Sequence, residues 1–441
     1  MEVIKLETNF KRKLFNYISK PKVKNYSESL ENQVINIYPQ IAYQEFLGFG
    51  GAFTEASGIA YSLLDETKKK QFIADYFSST GLNYSMGRLP IGSSDFSKSS
   101  YSYSNKSDLT DFNIERDFEY IIPLLKNANS IKSLQLLASP WSPPKFMKSN
   151  KMLTLGGRLL PKYKETYAKY LTRYIEAYKN AGFNIDFITV QNEPNAVQTW
   201  ESCLFTAEEE CDFAVNYLYP TFKDNKIDTK ILVWDHNKEK LFNRAIKELS
   251  FDKASEAISG FAYHYYTGDH FENIELLRDF FPNKLIIHTE GCTGFSNFRE
   301  SDEVKNAEIY AHDILGDLNA GSNAYIDWNL ILDNKGGPNH KHNYCNSPIM
   351  LNKDNSNYIK NLSYYYIGQF SKIILPDSRR IAFSKYTDSI EVTTFKNKDN
   401  SIAVVLLNKN DFNKEYNLVL DNNVLHDNLD SHAIVSYLIK I

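Results

Sequence analysis

Short apolar runs that end on polar residues recur along most of the chain. Leu47–Thr54, Tyr84–Pro90, Leu134–Ser139, Phe187–Gln191, Ile231–Asp235, Gly260–Tyr266, Leu285–Glu290 and Asn323–Asn329 each read as a short strand. The stretches between them carry helical spacing. Tyr163, Tyr167, Tyr170, Leu171, Tyr174, Ile175 and Tyr178 fall on one stripe, and Val304, Ala307, Ala311, Ile314, Leu315 and Leu318 on another. Thr206-Ala207-Glu208-Glu209 has the form of a capping box, in which the first and last side chains bond each other's backbone at a helix start. Strand alternating with helix, eight times over, predicts an α/β chain whose parallel strands close into a (β/α)8 TIM barrel. An open doubly wound sheet is the alternative.

After Leu375-Pro376-Asp377 the period shortens. Ser389–Phe395, Ile402–Leu407, Tyr416–Leu420 and His432–Ile439 read as strands joined by turn residues such as Lys398-Asp399-Asn400. That is short for a complete sandwich, so the N-terminal stretch, including Val34–Tyr38, is expected to supply further strands. The expected division is a segment 1–43 belonging to a small antiparallel β side domain, a catalytic barrel over 44–374, and the rest of the side domain over 375–441.

Composition narrows the function. The 441 residues are 42% hydrophobic and 24% charged, enough for a large core, and the net charge of −4 comes with no long basic run. A large nucleic-acid footprint is therefore not expected. No apolar stretch approaches the ~20 residues of a membrane span. The N-terminus, Met1-Glu2-Val3-Ile4-Lys5-Leu6-Glu7, lacks the apolar run of a secretory leader, and the four cysteines form no CxxC pair. Cytoplasmic residence with free thiols is expected, although a chain trimmed of a leader would read the same way. Nothing in the pattern specifies an oligomer. Aromatic residues are abundant, with 30 Tyr, 28 Phe and 4 Trp.

A barrel carries its chemistry at the C-terminal ends of its strands. Those ends here are Arg88, Ser139 with Trp141, Asn192 with Glu193, Asp235, His264 with Tyr266, Glu290, and Asp327 with Trp328. Glu193 and Glu290 stand out, in Gln191-Asn192-Glu193-Pro194 and His288-Thr289-Glu290-Gly291. Two carboxylates across one pocket suit cleavage of a glycosidic bond: one protonates the leaving oxygen, the other attacks the anomeric carbon or activates water. The two must differ in pKa. Arg88, if it reaches Glu290, would favour its ionised form, while desolvation and the charge of Glu290 would raise Glu193.

Other chemistries fit less well. Gly48-Phe49-Gly50-Gly51 is not a dinucleotide loop, because the third glycine of GxGxxG would fall at Phe53. His340-Lys341-His342 has no evident third ligand, so no metal and no cofactor are expected. Cys292 is expected to be a packed thiol.

The chain resembles glycoside hydrolase family 30, clan A retaining β-glycosidases that include the lysosomal glucosylceramidase. The matching segments are Gly48–Thr54, Ser94-Asp95-Phe96-Ser97, Leu137–Pro144, Gln191–Pro194, His264-Tyr265-Tyr266, Thr289–Cys292, Asp327–Leu330 and Gly336-Gly337-Pro338-Asn339, in family order. The resemblance implies Glu193 as acid/base and Glu290 as nucleophile. It implies that Asn192 bonds the sugar 2-OH, that Asp95, Trp141, Trp328 and Asn343 hold the glycone, that Tyr266 stands near the nucleophile, and that Arg88 and His264 support them. The middle residue of His264-Tyr265-Tyr266 is Trp in the lysosomal relatives, and Asn195–Cys203 looks shorter than theirs. Both departures lie on the aglycone side, so the leaving group is not carried over.

The expected activity is that of a retaining exo-β-glycosidase on a β-linked sugar, most simply a terminal β-glucoside. A β-xyloside, a β-fucoside or internal β-1,6-glucan cleavage are rivals within the family. A sugar-binding protein without catalysis would be expected to lack a carboxylate, and both are present.

Overall fold

The computed structural model describes residues 2–440 except 20, 22, 26–31 and 295–301, so part of the expected segment 1–43 lies outside the described residues. Eight parallel strands close into a barrel: β1 (Gly48–Ala52), β2 (Met86–Ile91), β3 (Gln135–Pro140), β4 (Phe187–Thr189), β5 (Lys230–Asn237), β6 (Ile258–His264), β7 (Leu285–Glu290) and β8 (Ala324–Asn329). The ring closes through β8 against β1, Ala324 opposite Gly48 and Ile326 opposite Gly50. All eight expected strands are present and the doubly wound alternative is excluded. Met86, Leu137, Phe187, Leu232, Ala262, Ile287, Ala324 and Ile326 fill the barrel interior, a packed core and not a pore. Gly50 serves this closure: a Cβ there would lie 2.4 Å from the Met86 carbonyl oxygen of β2.

The helical stripes bury as their spacing requires. In Lys164–Asn180, Tyr167, Tyr170, Leu171, Tyr174, Ile175 and Tyr178 are buried. Tyr163 falls just outside, in a 3-10 turn, with its ring 5.7 Å from Phe146. The tyrosines pack ring to ring, and Tyr178 spends its hydroxyl on a buried acid. Asp117 accepts from Tyr103 and Tyr178 at 2.7 Å each, and burial still pushes its carboxyl up to about 6. This is one use for so many amphipathic rings. The capping box forms as written, with Glu209 N donating to Thr206 Oγ1 at 3.2 Å and Thr206 N to Glu209 Oε2 at 2.8 Å.

The side domain is a ten-stranded sheet drawn from both chain ends. Strand Glu2–Asn9 pairs antiparallel with Ala433–Lys440, and Val34–Phe46 pairs with Ser378–Lys385. Ile402–Asn408 is buried throughout. Its Ile402, Val404 and Leu406 enter the side-domain core, while Ala403, Val405 and Leu407 join the core that surrounds the barrel. One strand thus faces two cores, which explains its unbroken apolar run. Among the described residues no helix is long and apolar enough to cross a membrane.

Two histidines clasp the barrel to this sheet. His312, on helix Glu303–Ala320, bonds Glu391 at 2.7 Å and Asp269 at 3.1 Å; His432 bonds Glu308 at 2.8 Å and Asp411 at 2.9 Å. Hydrogen bonds to these carboxylates raise both imidazoles above their ordinary 6.5. A raised histidine stabilises the fold fully below its unfolded pKa and loses that contribution as pH rises through the folded one. The double variant His312→Asn/His432→Asn is therefore expected to lower the melting temperature at pH 6 by about 2 °C, for pairs worth about 1 kcal/mol in all. The loss should shrink at pH 9, as read by calorimetry; an equal loss at both values would show that the charges contribute nothing.

Candidate functional site

The strand ends converge on a hollow of about 260 Å³ lined by Glu193, Glu290, Asp95, Trp141, Asn192, Tyr266, Trp328 and Asn343. These are the eight residues to which the sequence assigned catalysis or substrate contact. Larger hollows of about 470 and 710 Å³ lie elsewhere, at the N-terminal ends of β3–β5 and against the side domain. Neither gathers strand-end carboxylates.

Beneath the cavity floor lies Arg88, wholly buried at the centre of β2. Its guanidinium donates to Glu290 Oε2 at 2.5 Å, to Asp235 Oδ2 at 2.9 Å, to Asn192 Oδ1 at 2.8 Å and to Ser139 Oγ at 3.3 Å. It stacks 4.8 Å from the Trp141 ring and 5.5 Å from Trp328. A buried cation of this kind is stable only when paired and hydrogen-bonded. Asp235 completes the pairing, accepting also from Thr189 at 2.7 Å, Thr289 at 2.6 Å and His264 at 3.1 Å. Burial alone would raise the Asp235 carboxyl; Arg88, His264 and Thr289 outweigh it and hold it far below the usual range.

His264 bridges Asp235 and the second glutamate, with Nδ1 3.3 Å from Glu193 Oε1. Burial pulls its pKa down, but the charge of Glu290 and the bonds to Asp235 and Glu193 push it up to about 9, so it is an imidazolium at neutral pH. This corrects one expectation. Burial does raise Glu193, yet the bond and charge of His264 prevail and hold it below its ordinary value. One oxygen each of Glu193 and Glu290 and one ring nitrogen of His264 lie within 4.8 Å of one another. Tyr266 donates to Glu290 Oε1 at 2.9 Å, so both oxygens of Glu290 are held.

The opposite wall rests on Asp95, whose Oδ2 accepts from Asn343 at 3.0 Å and Asn339 at 3.3 Å. Burial and the charge of Glu290 push Asp95 up to about 7. Trp141 and Trp328 stack at 5.4 Å beside it.

Backbone strain aims these groups. Glu193, Trp234 and Asp235 have φ of 49°, 75° and 48°, left-handed values that non-glycine residues adopt only when held. Glu193 N donates to the Asp235 carbonyl at 2.9 Å, and Trp234 N to buried Glu210 Oε1 at 3.0 Å. Arg244 bonds Glu210 and Glu248 at 2.6 Å each and lies 5.2 Å from the Trp234 ring.

Some polar strand ends serve elsewhere. Asp327 lies outside the cavity beside Tyr310, pushed up to about 8 by burial. Glu55 is engaged by Arg116 at 2.9 Å and the Lys98 N–H at 2.8 Å. His340 and His342 do not converge: one meets the Ser97 carbonyl and Glu201, the other Tyr344. His288, Asp313 and Asp317 form a second close cluster, already occupied by the Lys238 ammonium.

Phe96, Gln198, Trp200, His236, Asn237 and Cys345 also line the cavity and were missed. His236 and Asn237 were hidden because β5 continues past Asp235 through a bulge, with Ala262 opposite Trp234 and Tyr263 opposite His236. The only signal was polar residues continuing beyond an apolar strand. Cys292, expected to pack, is buried against Trp141 and Trp328.

Comparison with known proteins agrees with this architecture. Residues 46–374 match the Glycosyl hydrolase family 30 TIM-barrel domain and residues 377–437 the Glycosyl hydrolase family 30 beta sandwich domain. Putative glucosylceramidase 4 of Caenorhabditis elegans is 32% identical over 89% of this chain and 80% of its own length. The crystal structure of SrfJ from Salmonella typhimurium superposes with a TM-score of 0.97 at 32% identity, covering 100% of both chains. The endo-β-1,6-glucanase BT3312 superposes with a TM-score of 0.91 at 29% identity, covering 99% of both. With the barrel, the side domain and the paired strand-end glutamates, these matches establish that the chain belongs to glycoside hydrolase family 30.

Proposed function

We propose that this chain is a retaining exo-β-glycosidase that removes terminal β-glucosyl units, with Glu290 as nucleophile and Glu193 as acid/base. The observation that carries the reading is the carboxylate spacing. One oxygen of Glu193 lies within 4.8 Å of one oxygen of Glu290, which is in keeping with the ~5–5.5 Å carboxyl separation of a retaining pair. The cavity of about 260 Å³ lies below the ~300–1,000 Å³ typical of ligand pockets and suits one sugar ring. The names of the relatives support the glycone: one is called a glucosylceramidase and another an endo-β-1,6-glucanase.

In this reading Arg88 and Tyr266 fix both oxygens of Glu290, so attack on C1 needs no reorientation. Arg88 also takes the Asn192 carbonyl oxygen, which leaves the Asn192 amide N–H groups for the sugar 2-OH. An entering sugar strips water from Glu193 and raises its pKa towards the protonated form. Glu193 then protonates the leaving oxygen as Glu290 forms the glycosyl-enzyme. Glu193, now a base, takes a proton from the water that releases the sugar. Asp95 and Asn343 hold the glycone hydroxyls, and Trp141 and Trp328 shape the floor.

A second reading, internal cleavage of a β-1,6-glucan, draws on the likeness to BT3312. Rates on aryl β-glucoside, β-xyloside and β-fucoside set against hydrolysis of the polymer separate these cases.

Glu290→Gln is expected to abolish turnover of every aryl β-glycoside. Glu193→Gln should cost about 10²–10⁴-fold on poor leaving groups and far less on dinitrophenyl glycosides. Wild-type rates in both variants would remove the assignment. A third variant tests the ionisation. His264→Asn removes the cation that depresses Glu193, so the acid should keep its proton to higher pH. The alkaline limb of kcat/KM is expected to move upward; a limb that stays in place would show that His264 does not set this proton.

A further inference from the structure

Three segments of separate origin build the rim of the cavity. The one after β2 supplies Asp95, the one after β4 supplies Trp200, and the one after β8 supplies Asn343. No two of these strands are neighbours in the ring, so no ladder hydrogen bond sets the segments against one another. Asn339 and Asn343 reach Asp95, but the β4 segment needs a link of its own.

A buried ion pair supplies that link. Glu201, one residue past Trp200, is buried, and its Oε1 lies 3.5 Å from His340 Nε2. The same oxygen accepts from Ser93 Oγ at 2.8 Å, two residues before Asp95. His340 belongs to the β8 segment, three residues before Asn343. Its Nδ1 donates to the Ser97 carbonyl at 3.0 Å, and its backbone N–H donates to the Asp95 carbonyl at 3.2 Å. Both ring nitrogens thus face oxygen acceptors, one a carbonyl and one a carboxylate. Only the imidazolium donates from both, and a buried carboxylate requires such a cation. Burial opposes the charge on each partner. Their mutual attraction prevails, raising His340 above its ordinary value and holding Glu201 at about 2. The other charged groups around the pair are Asp95, Lys341 beside the imidazole, and Lys148, whose ammonium is bound to the Leu153 and Ser202 carbonyls.

We infer that His340 is a positioning residue: its ion pair with Glu201 clamps the segments after β2, β4 and β8 together and so fixes the pocket that Asp95 and Asn343 complete. The inference rests on the glycosidase reading above and adds to it a control of sugar affinity by one proton. Neither His340 nor Glu201 lines the cavity, so the pair acts through the residues it holds. Loosened segments misplace Asp95 and Asn343 equally for the bound sugar and for the transition state. The cost therefore falls on binding and not on the chemical step.

Two single variants and their combination test the clamp. His340→Gln removes the cation but keeps a donor, and Glu201→Gln removes the anion at nearly constant shape. On the aryl β-glycoside that the wild type cleaves best, each is expected to raise KM about tenfold and to leave kcat within about twofold. The double variant should cost no more than either single one, because the partners act as a unit. Calorimetry with the matching isopropyl 1-thio-β-glycoside, an uncharged ligand, reads the proton. The wild type should bind about tenfold more tightly than His340→Gln at pH 6, and the gap should close towards pH 9 as the imidazolium is lost. Asp95, pushed up to about 7, titrates in both proteins, so the ratio of their affinities isolates His340. An unchanged KM in both single variants overturns the positioning role, even where their melting temperatures fall. Losses that multiply in the double variant, or an affinity gap equal at both pH values, overturn the ion pair as its cause. A wild type that cleaves no aryl β-glycoside is a different failure: it removes the glycosidase reading, and this inference with it.

Discussion

One buried guanidinium organises the centre of this molecule. Arg88 has no water to solvate it, so Asp235 and Glu290 must be in place as its partners for the barrel to close around it. Their positions fix others in turn. Asp235 orients His264, His264 meets Glu193, and the remaining arm of Arg88 turns the Asn192 carbonyl away from the cavity. Two glutamates from strands on opposite sides of the ring are thereby held within one sugar's width. The same network sets a cation beside each carboxylate: Glu290 lies against Arg88, and Glu193 against the His264 imidazolium.

The rest of the fold keeps this geometry from relaxing. Left-handed backbone at Trp234 is held through its N–H on Glu210, part of a second buried ion network with Arg244 and Glu248 beside β5. A third, Lys238 with Asp313, Asp317 and His288, ties β7 to helix Glu303–Ala320. That helix is clasped to the side domain by His312 and His432. A chain of charge contacts therefore runs from the side domain to the strand that carries Glu290.

Much of this was legible in the chain, for identifiable reasons. The barrel strands were visible because parallel strands covered on both faces must be apolar throughout, and each ended on a polar residue that had to face a pocket. The helix Lys164–Asn180 was visible because its tyrosines repeat at helical spacing. What stayed hidden depended on distant partners. Ser378–Lys385 shows no clean alternation, and its pairing is set by Val34–Phe46, more than three hundred residues earlier. His236 was hidden by a bulge that only the neighbouring strand reveals. The direction of the Glu193 shift was misread because desolvation can be inferred from a strand end, whereas an imidazolium from another strand cannot.

The central claim is that the two glutamates act in succession on one anomeric carbon. The most direct measurement is the anomeric configuration of the first sugar released from an aryl β-glycoside, followed by proton NMR before mutarotation. Double displacement predicts the β-anomer as the initial product, drifting later towards the equilibrium mixture. Initial appearance of the α-anomer would mean a single displacement by water, and would contradict the roles given to Glu193 and Glu290.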